Sequence, residues 1–183
     1  MIKQMFENII LAILKVSPGL GSIQVRKGVC IADAVHFSLH GQSITEVKYI
    51  KEKHGPVPDN EGFRCLIEMF ISGMIDINEE PIGRYTKNSY YSLVEPDYSI
   101  FTRNQIDIIN YASRIVSNLT ATELSFNTHD AVYDSINMRE EIPLNAICTP
   151  IVTGYDTEPF TEEERKDIRK FFESDENRLL TFG

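Results

Sequence analysis

Cysteine is scarce in this 183-residue chain, where Cys30, Cys65 and Cys148 lie 35 and 83 residues apart. An odd count without CxxC spacing supplies neither a disulfide framework nor the ligand pairs of a structural zinc knuckle. A reducing, cytoplasmic compartment is the expected setting. Long apolar runs are also missing. The longest near the start is Ile9 to Leu14, bounded by Glu7 and Lys15. That is shorter than the ~7 to 15 residues of a secretory core and far short of the ~20 of a membrane span, so no membrane partner is expected. Positive charge is in deficit as well: 18 Lys and Arg face 27 Asp and Glu, a net charge of −9. This is the wrong sign for a protein held to a phosphate backbone by counterion release and argues against nucleic acid as a partner.

What remains is 42% apolar, 25% charged and 10% aromatic, the composition of one compact domain with a modest extension. There is no internal repeat and no low-complexity tract. Charge is unevenly placed: residues 1–60 carry 7 basic and 5 acidic residues, whereas residues 61–183 carry 11 and 22. Any anion site belongs in the first third.

Met5, Phe6, Ile9, Ile10, Ile13 and Leu14 recur at helical spacing up to Ser17-Pro18-Gly19. A second helix runs from Ser22, a cap candidate, through Val25, Val29, Ala32, Val35 and Leu39 to Gly41, where a left-handed residue is wanted. Residues 44–53 read as an extended piece, and His54-Gly55-Pro56-Val57-Pro58 as a rigid turn. Phe63, Leu66, Ile67, Phe70, Ile71 and Met74 form a third helical stripe, with Gly73 as its stop. Gly83 to Lys87 and Ser89 to Val94 suggest a hairpin turning at Lys87-Asn88. Capping-box pairs Thr102/Gln105, Thr120/Glu123 and Thr161/Glu164 mark helices over about 103–117, 121–127 and 162–174. Val132, Tyr133 and Ile136 suggest a short helical piece capped by Thr128.

The expected fold is therefore mainly α with some β. It has a winged-helix-like N-terminal half with a small β-hairpin, then further helices. Residues 1–147 would be the domain, and 148–183 a linker with an acidic C-terminal helix.

Several constellations invite a chemical reading. Asp33, His36 and His40 share one helix at metal-ligand spacing, yet no HExxH pattern or second cluster accompanies them. Ser125, His129 and Asp130 supply the residue types of a hydrolytic triad without the strand-to-helix turn that presents a nucleophile. Gly19-Leu20-Gly21-Ser22 could offer amides to an anion but lacks a following Lys and a preceding strand. Lys48, Lys51 and Lys53 with Tyr49 make a small basic patch that also suits a solvated strand edge. No catalytic residue, metal or cofactor is expected from these.

A more specific pattern consists of Lys27, Ala32-Asp33, His36, Gly41, Ile44-Thr45, Tyr49 and His54-Gly55-Pro56-Val57-Pro58, then a helix ending Gly73-Met74-Ile75. A second block holds Leu124-Ser125, Thr128-His129, Tyr133 and Ile142-Pro143. Together they resemble the Panacea, or SocA-like, antitoxin domain of bacteria and their phages, over about residues 5–147. Gly28 stands where that family usually has a large apolar residue, Cys30 where an aromatic is common, and Tyr133 where Trp is usual. The resemblance implies a mainly helical, non-enzymatic module that neutralises a cognate toxin by contact, in some members as an adaptor delivering the toxin to a protease. It makes Lys27, Asp33, His36, Gly41, Tyr49, His54, Gly55, Pro56, Leu124, Ser125 and His129 structural motif residues.

A winged-helix DNA-binding regulator is the competing expectation, and a metal-dependent hydrolase a third. The partner surface expected from the residues is the basic strand with Lys48, Lys51 and Lys53, together with the hairpin tyrosines Tyr85, Tyr90 and Tyr91. Tyrosines contribute large contact area at small entropy cost. His129 is expected to tie its helix to the turn at His54 to Pro58.

Overall fold

The computed structural model describes residues 2–59, 62–127 and 131–147. The linker, the helix over 162–174, and Thr128, His129 and Asp130 lie outside these residues, as does Cys148. Helix α1 (Ile2–Val16) packs against α2 (Ser22–His40), and both pack against α4 (Arg103–Asn118). Their interface holds Phe6, Ile9, Ile10, Ile13 and Leu14 from α1, Val25, Val29 and Ala32 from α2, and Ile109, Ala112 and Val116 from α4. Cys30 and Cys65 are buried as reduced thiols.

Helix α2 is the pillar of the domain. Twelve of its residues are buried, Lys27, Asp33, His36 and Ser38 among them, because neighbours stand around the whole helix and not along one stripe. Its N-cap is Gly21 and not the expected Ser22, and the cap is made by Gln24, whose Oε1 accepts from the Gly21 amide at 2.9 Å. The same side chain donates through Nε2 to the carbonyls of Val116 and Leu119 at the end of α4. One glutamine thus satisfies orphan groups of two helix ends. Gly41 closes α2 in the left-handed region, φ 71°. Gly28 permits the close approach of α1: a Cβ there would stand 2.8 Å from Ile13 Cδ1. The volume a larger residue would occupy is filled by Ile13.

The stretch after α2 departs from expectation. Instead of a single extended piece and a turn, β1 (Tyr49–Glu52) and β2 (Gly55–Pro58) form an antiparallel hairpin, with Gly55 at φ 100°. Pro56 and Pro58 are accommodated because β2 is an edge strand, where missing amide donors cost no ladder bond. The other side of β1 pairs with β5 (Glu141–Ile142), giving a three-stranded sheet in the order β2-β1-β5. Helix α3 (Gly62–Ile71) follows, and Gly73 ends it at φ 73°.

The second hairpin is also shifted from its expected register. Strands β3 (Ile75–Ile82) and β4 (Tyr85–Ser92) turn at Gly83-Arg84, and Lys87 and Asn88 sit mid-strand opposite Glu80 and Glu79. Gly83 takes φ 60°, a value a tight hairpin turn requires and Lys adopts at a cost. Tyr90 anchors this hairpin to the α1–α2 turn, exchanging backbone bonds with Gly19 and Leu20 at 2.9 Å. The element order is therefore helix, helix, hairpin, helix, hairpin, with an extra sheet inserted into the expected winged-helix sequence.

Helices α5 (Ala121–Asn127) and α6 (Ala131–Ser135) complete the described fold. The boxes Thr102/Gln105 and Thr120/Glu123 both form with reciprocal bonds. Among the described residues no helix is long and apolar enough to cross a membrane.

Candidate functional site

The first motif block converges on the Asp33 carboxylate, wholly buried within α2. Oδ1 accepts from the amides of Ile44 and Thr45 at 2.8 and 2.9 Å, and Oδ2 from the hydroxyls of Thr45 and Tyr49, the latter at 2.8 Å. Burial raises the Asp33 pKa while these four donors oppose the rise. Tyr49, equally enclosed and beside that carboxylate, is held well above the usual phenol value. His36 Nδ1 donates to the Gln42 carbonyl at 2.6 Å, and burial lowers its pKa. Asp33 and His36 thus clamp the chain that leaves α2 and set the start of β1.

The two sequence blocks meet on the other side of β1. Tyr133 of α6 reaches the β1–β2 turn, where its hydroxyl donates to the Glu52 carbonyl and accepts from the Gly55 amide. Lys51 Nζ donates in return to the carbonyls of Tyr133 at 2.6 Å and Ile136 at 2.8 Å, and lies 4.4 Å above the Tyr133 ring. An ammonium at a helix C-terminus complements the dipole and satisfies orphan carbonyls. Leu124 is fully buried and Ser125 half-buried on α5. The expected tie from His129 lies outside the described residues.

This geometry redirects several candidate residues. Lys51 Nζ is bound to the carbonyls at the end of α6. Tyr90 is buried at 5% exposure and serves the hairpin's packed face. Lys48 is exposed and paired with Glu141 at 2.8 Å, while Lys53 and His54 stand exposed at the hairpin turn. Tyr91 is partly exposed, with its hydroxyl lying over Gly19. Tyr85 begins β4, and its side chain is outside the description.

The metal-spaced trio does not converge. Asp33 faces Thr45 and Tyr49, His36 Nδ1 faces Gln42, and His40 Nε2 donates to Asn104 at 2.9 Å. Among the described residues no three His, Cys, Asp or Glu side chains form a metal-ligand group.

Helix α3 supplies an exposed apolar surface that was not among the expected partner surfaces. Cys65, Leu66 and Met69 face inward, leaving Ile67, Phe70 and Ile71 at 42%, 45% and 77% exposure. Beyond β4, Leu93 and Val94 are also exposed, and the Leu93 amide donates to the Met74 carbonyl at 2.9 Å, beside the end of α3. Exposed large apolar side chains gathered in this way mark interaction surfaces.

The family model described as antitoxin SocA-like, Panacea domain, matches residues 25–132. This span runs from α2 into α6 and takes in more than half of the chain. No curated protein and no solved structure matches.

Proposed function

As a chain that belongs to the SocA-like antitoxin family through its Panacea domain, this protein, we propose, neutralises a cognate toxin by direct contact and not by catalysis. The family match over residues 25–132 is the observation that carries this reading. Delivery of the bound toxin to a protease is the further step that the family resemblance adds. We assign the contact surface to the outer face of α3 with Leu93 and Val94. In a DNA-binding winged helix, α3 would have to offer basic residues to the groove. Here it offers Ile67, Phe70 and Ile71, and its Arg64 is bound to Glu68, which also holds Lys3. An apolar patch that includes an aromatic side chain suits a protein partner.

Co-expression with the protein encoded beside this one tests the reading. The neighbour alone should arrest growth, co-expression should relieve the arrest, and the two should co-purify. The double variant Phe70→Asp, Ile71→Asp changes only exposed positions and should weaken the complex at least about 30-fold, as expected of interface hot spots. A harmless neighbour, or tight binding of a specific DNA duplex at about 0.15 M salt, would overturn it.

A further inference from the structure

A small cleft lies between the first turns of α2 and the β1–β2 hairpin, lined by Ile23, Arg26, Lys27, His54, Pro56 and Val57. Among the described residues that line it, three can carry positive charge and none can carry negative charge. Arg26 and Lys27 come from α2 and His54 from the hairpin turn 27 residues on, so tertiary packing gathers them. The Arg26 Nε donates to the Ser22 carbonyl at 3.2 Å, which uses one of five guanidinium donors. Glu52, close enough to act on Arg26, is paired with Arg139 at 2.9 Å. Ile23, Pro56 and Val57 give the cleft apolar walls, and a charge-assisted hydrogen bond strengthens in such surroundings.

We propose that this cleft is a socket for one carboxylate side chain of the toxin. The assignment rests on the toxin-binding reading and adds the chemistry of a second contact, about which the apolar face of α3 says nothing. The partner's class selects the carboxylate: a protein offers its anions as Asp and Glu side chains, and the cleft has room for about one water-sized group, enough to admit a carboxylate oxygen. Burial holds Lys27 down to about 8 and also lowers Arg26. A bound carboxylate would favour the charged form of Arg26, whose pKa burial lowers.

Acetate and inorganic phosphate serve as probes, with sodium chloride at matched ionic strength as the reference, while the Arg26 side-chain Nε–H resonance is followed by NMR. Acetate should give a saturable shift in the wild-type protein, one that Lys27→Met and His54→Gln each weaken. Phosphate should not. In complexes with the co-expressed toxin, Arg26→Gln and His54→Gln should each weaken binding about tenfold. His54 stands exposed at a turn, so its variant keeps the test valid where replacement of Arg26 disturbs α2. Absence of a saturable acetate shift overturns the socket, and equal binding of phosphate overturns its selectivity for carboxylate. An acetate site whose variants leave the toxin complex unchanged overturns the assignment to a toxin side chain. If the neighbouring protein neither harms cells nor binds, the toxin-binding reading fails, and the acetate arm still decides whether the socket exists.

Discussion

The Tyr49 hydroxyl donates to the Asp33 carboxylate at 2.8 Å, joining the central strand β1 to the central helix α2 through two groups that are both out of contact with solvent. Together with Thr45 and the Ile44 amide it gives the buried carboxylate four donors. A buried acid so satisfied fixes geometry. Left half satisfied, it would be costly.

Asp33→Ala should therefore lower stability by at least about 3 kcal/mol, because two backbone amides and two hydroxyls lose their acceptor at ~1 to 3 kcal/mol for each group left unsatisfied. Tyr49→Phe removes one donor and should cost about 1 kcal/mol. Asp33→Asn keeps an oxygen for the amides and should fall between them. Urea unfolding at neutral pH measures all three, and an Asp33→Ala loss no larger than that of Tyr49→Phe would contradict this hub.

Lys27 makes stability depend on pH in the alkaline direction. Burial lowers its pKa from 10.5 to about 8, so below pH 8 the fold carries a net cost for keeping the ammonium charged. As pH rises from about 8 toward 10.5 the folded chain releases a proton that the unfolded chain keeps, and stability rises. At ~1.4 kcal/mol per pH unit the whole gain is up to roughly 3 kcal/mol. Urea midpoints between about pH 7 and 9.5 should climb for the wild type. They should stay flat for Lys27→Met.

Gly28 and Ile13 should behave as one packing unit. Gly28→Leu forces side-chain atoms into the space that Ile13 Cδ1 holds and should cost about 1 to 3 kcal/mol, while Ile13→Ala alone should cost ~2 to 5 kcal/mol. The double variant restores apolar volume and should lose clearly less than the sum. Strict additivity in thermal unfolding would show that the two sites do not share a volume.

Lys51 and Lys48 separate structural from surface charge. Lys51→Met strips the end of α6 of its carbonyl partner and should cost about 1 to 3 kcal/mol, with faster amide exchange at residues 133–136. Lys48→Met breaks only the exposed pair with Glu141 and should stay within about 0.5 kcal/mol. Equal effects of the two substitutions would mean that Lys51 does not brace α6.

Legibility in the sequence followed the range of the interactions. The α1 stripe, the ends of α2 and α3 at Gly41 and Gly73, and the boxes at Thr102 and Thr120 were readable because each rests on residues within a turn or two of one another. The β3–β4 register was misread. Acidic Ile75–Ile82 with Pro81 has little intrinsic preference for a strand, and pairing with β4 together with the anchor at Tyr90 imposed it.

By itself the sequence determined the mainly helical class with its hairpin, the family to which Lys27, Asp33, Tyr49 and His54-Gly55-Pro56 point, and the acidic balance that argues against a phosphate-bound protein. Only the tertiary structure decided what those residues do. Asp33 meets Tyr49 from 16 positions away, Tyr133 meets Gly55 across 78, and Arg26 and Lys27 meet His54 around one cleft. It also turned Ile67, Phe70 and Ile71 outward on a helix whose apolar residues fill more than one face. Periodicity records that a residue is apolar but not which neighbour covers it, and burial is fixed only when distant segments pack.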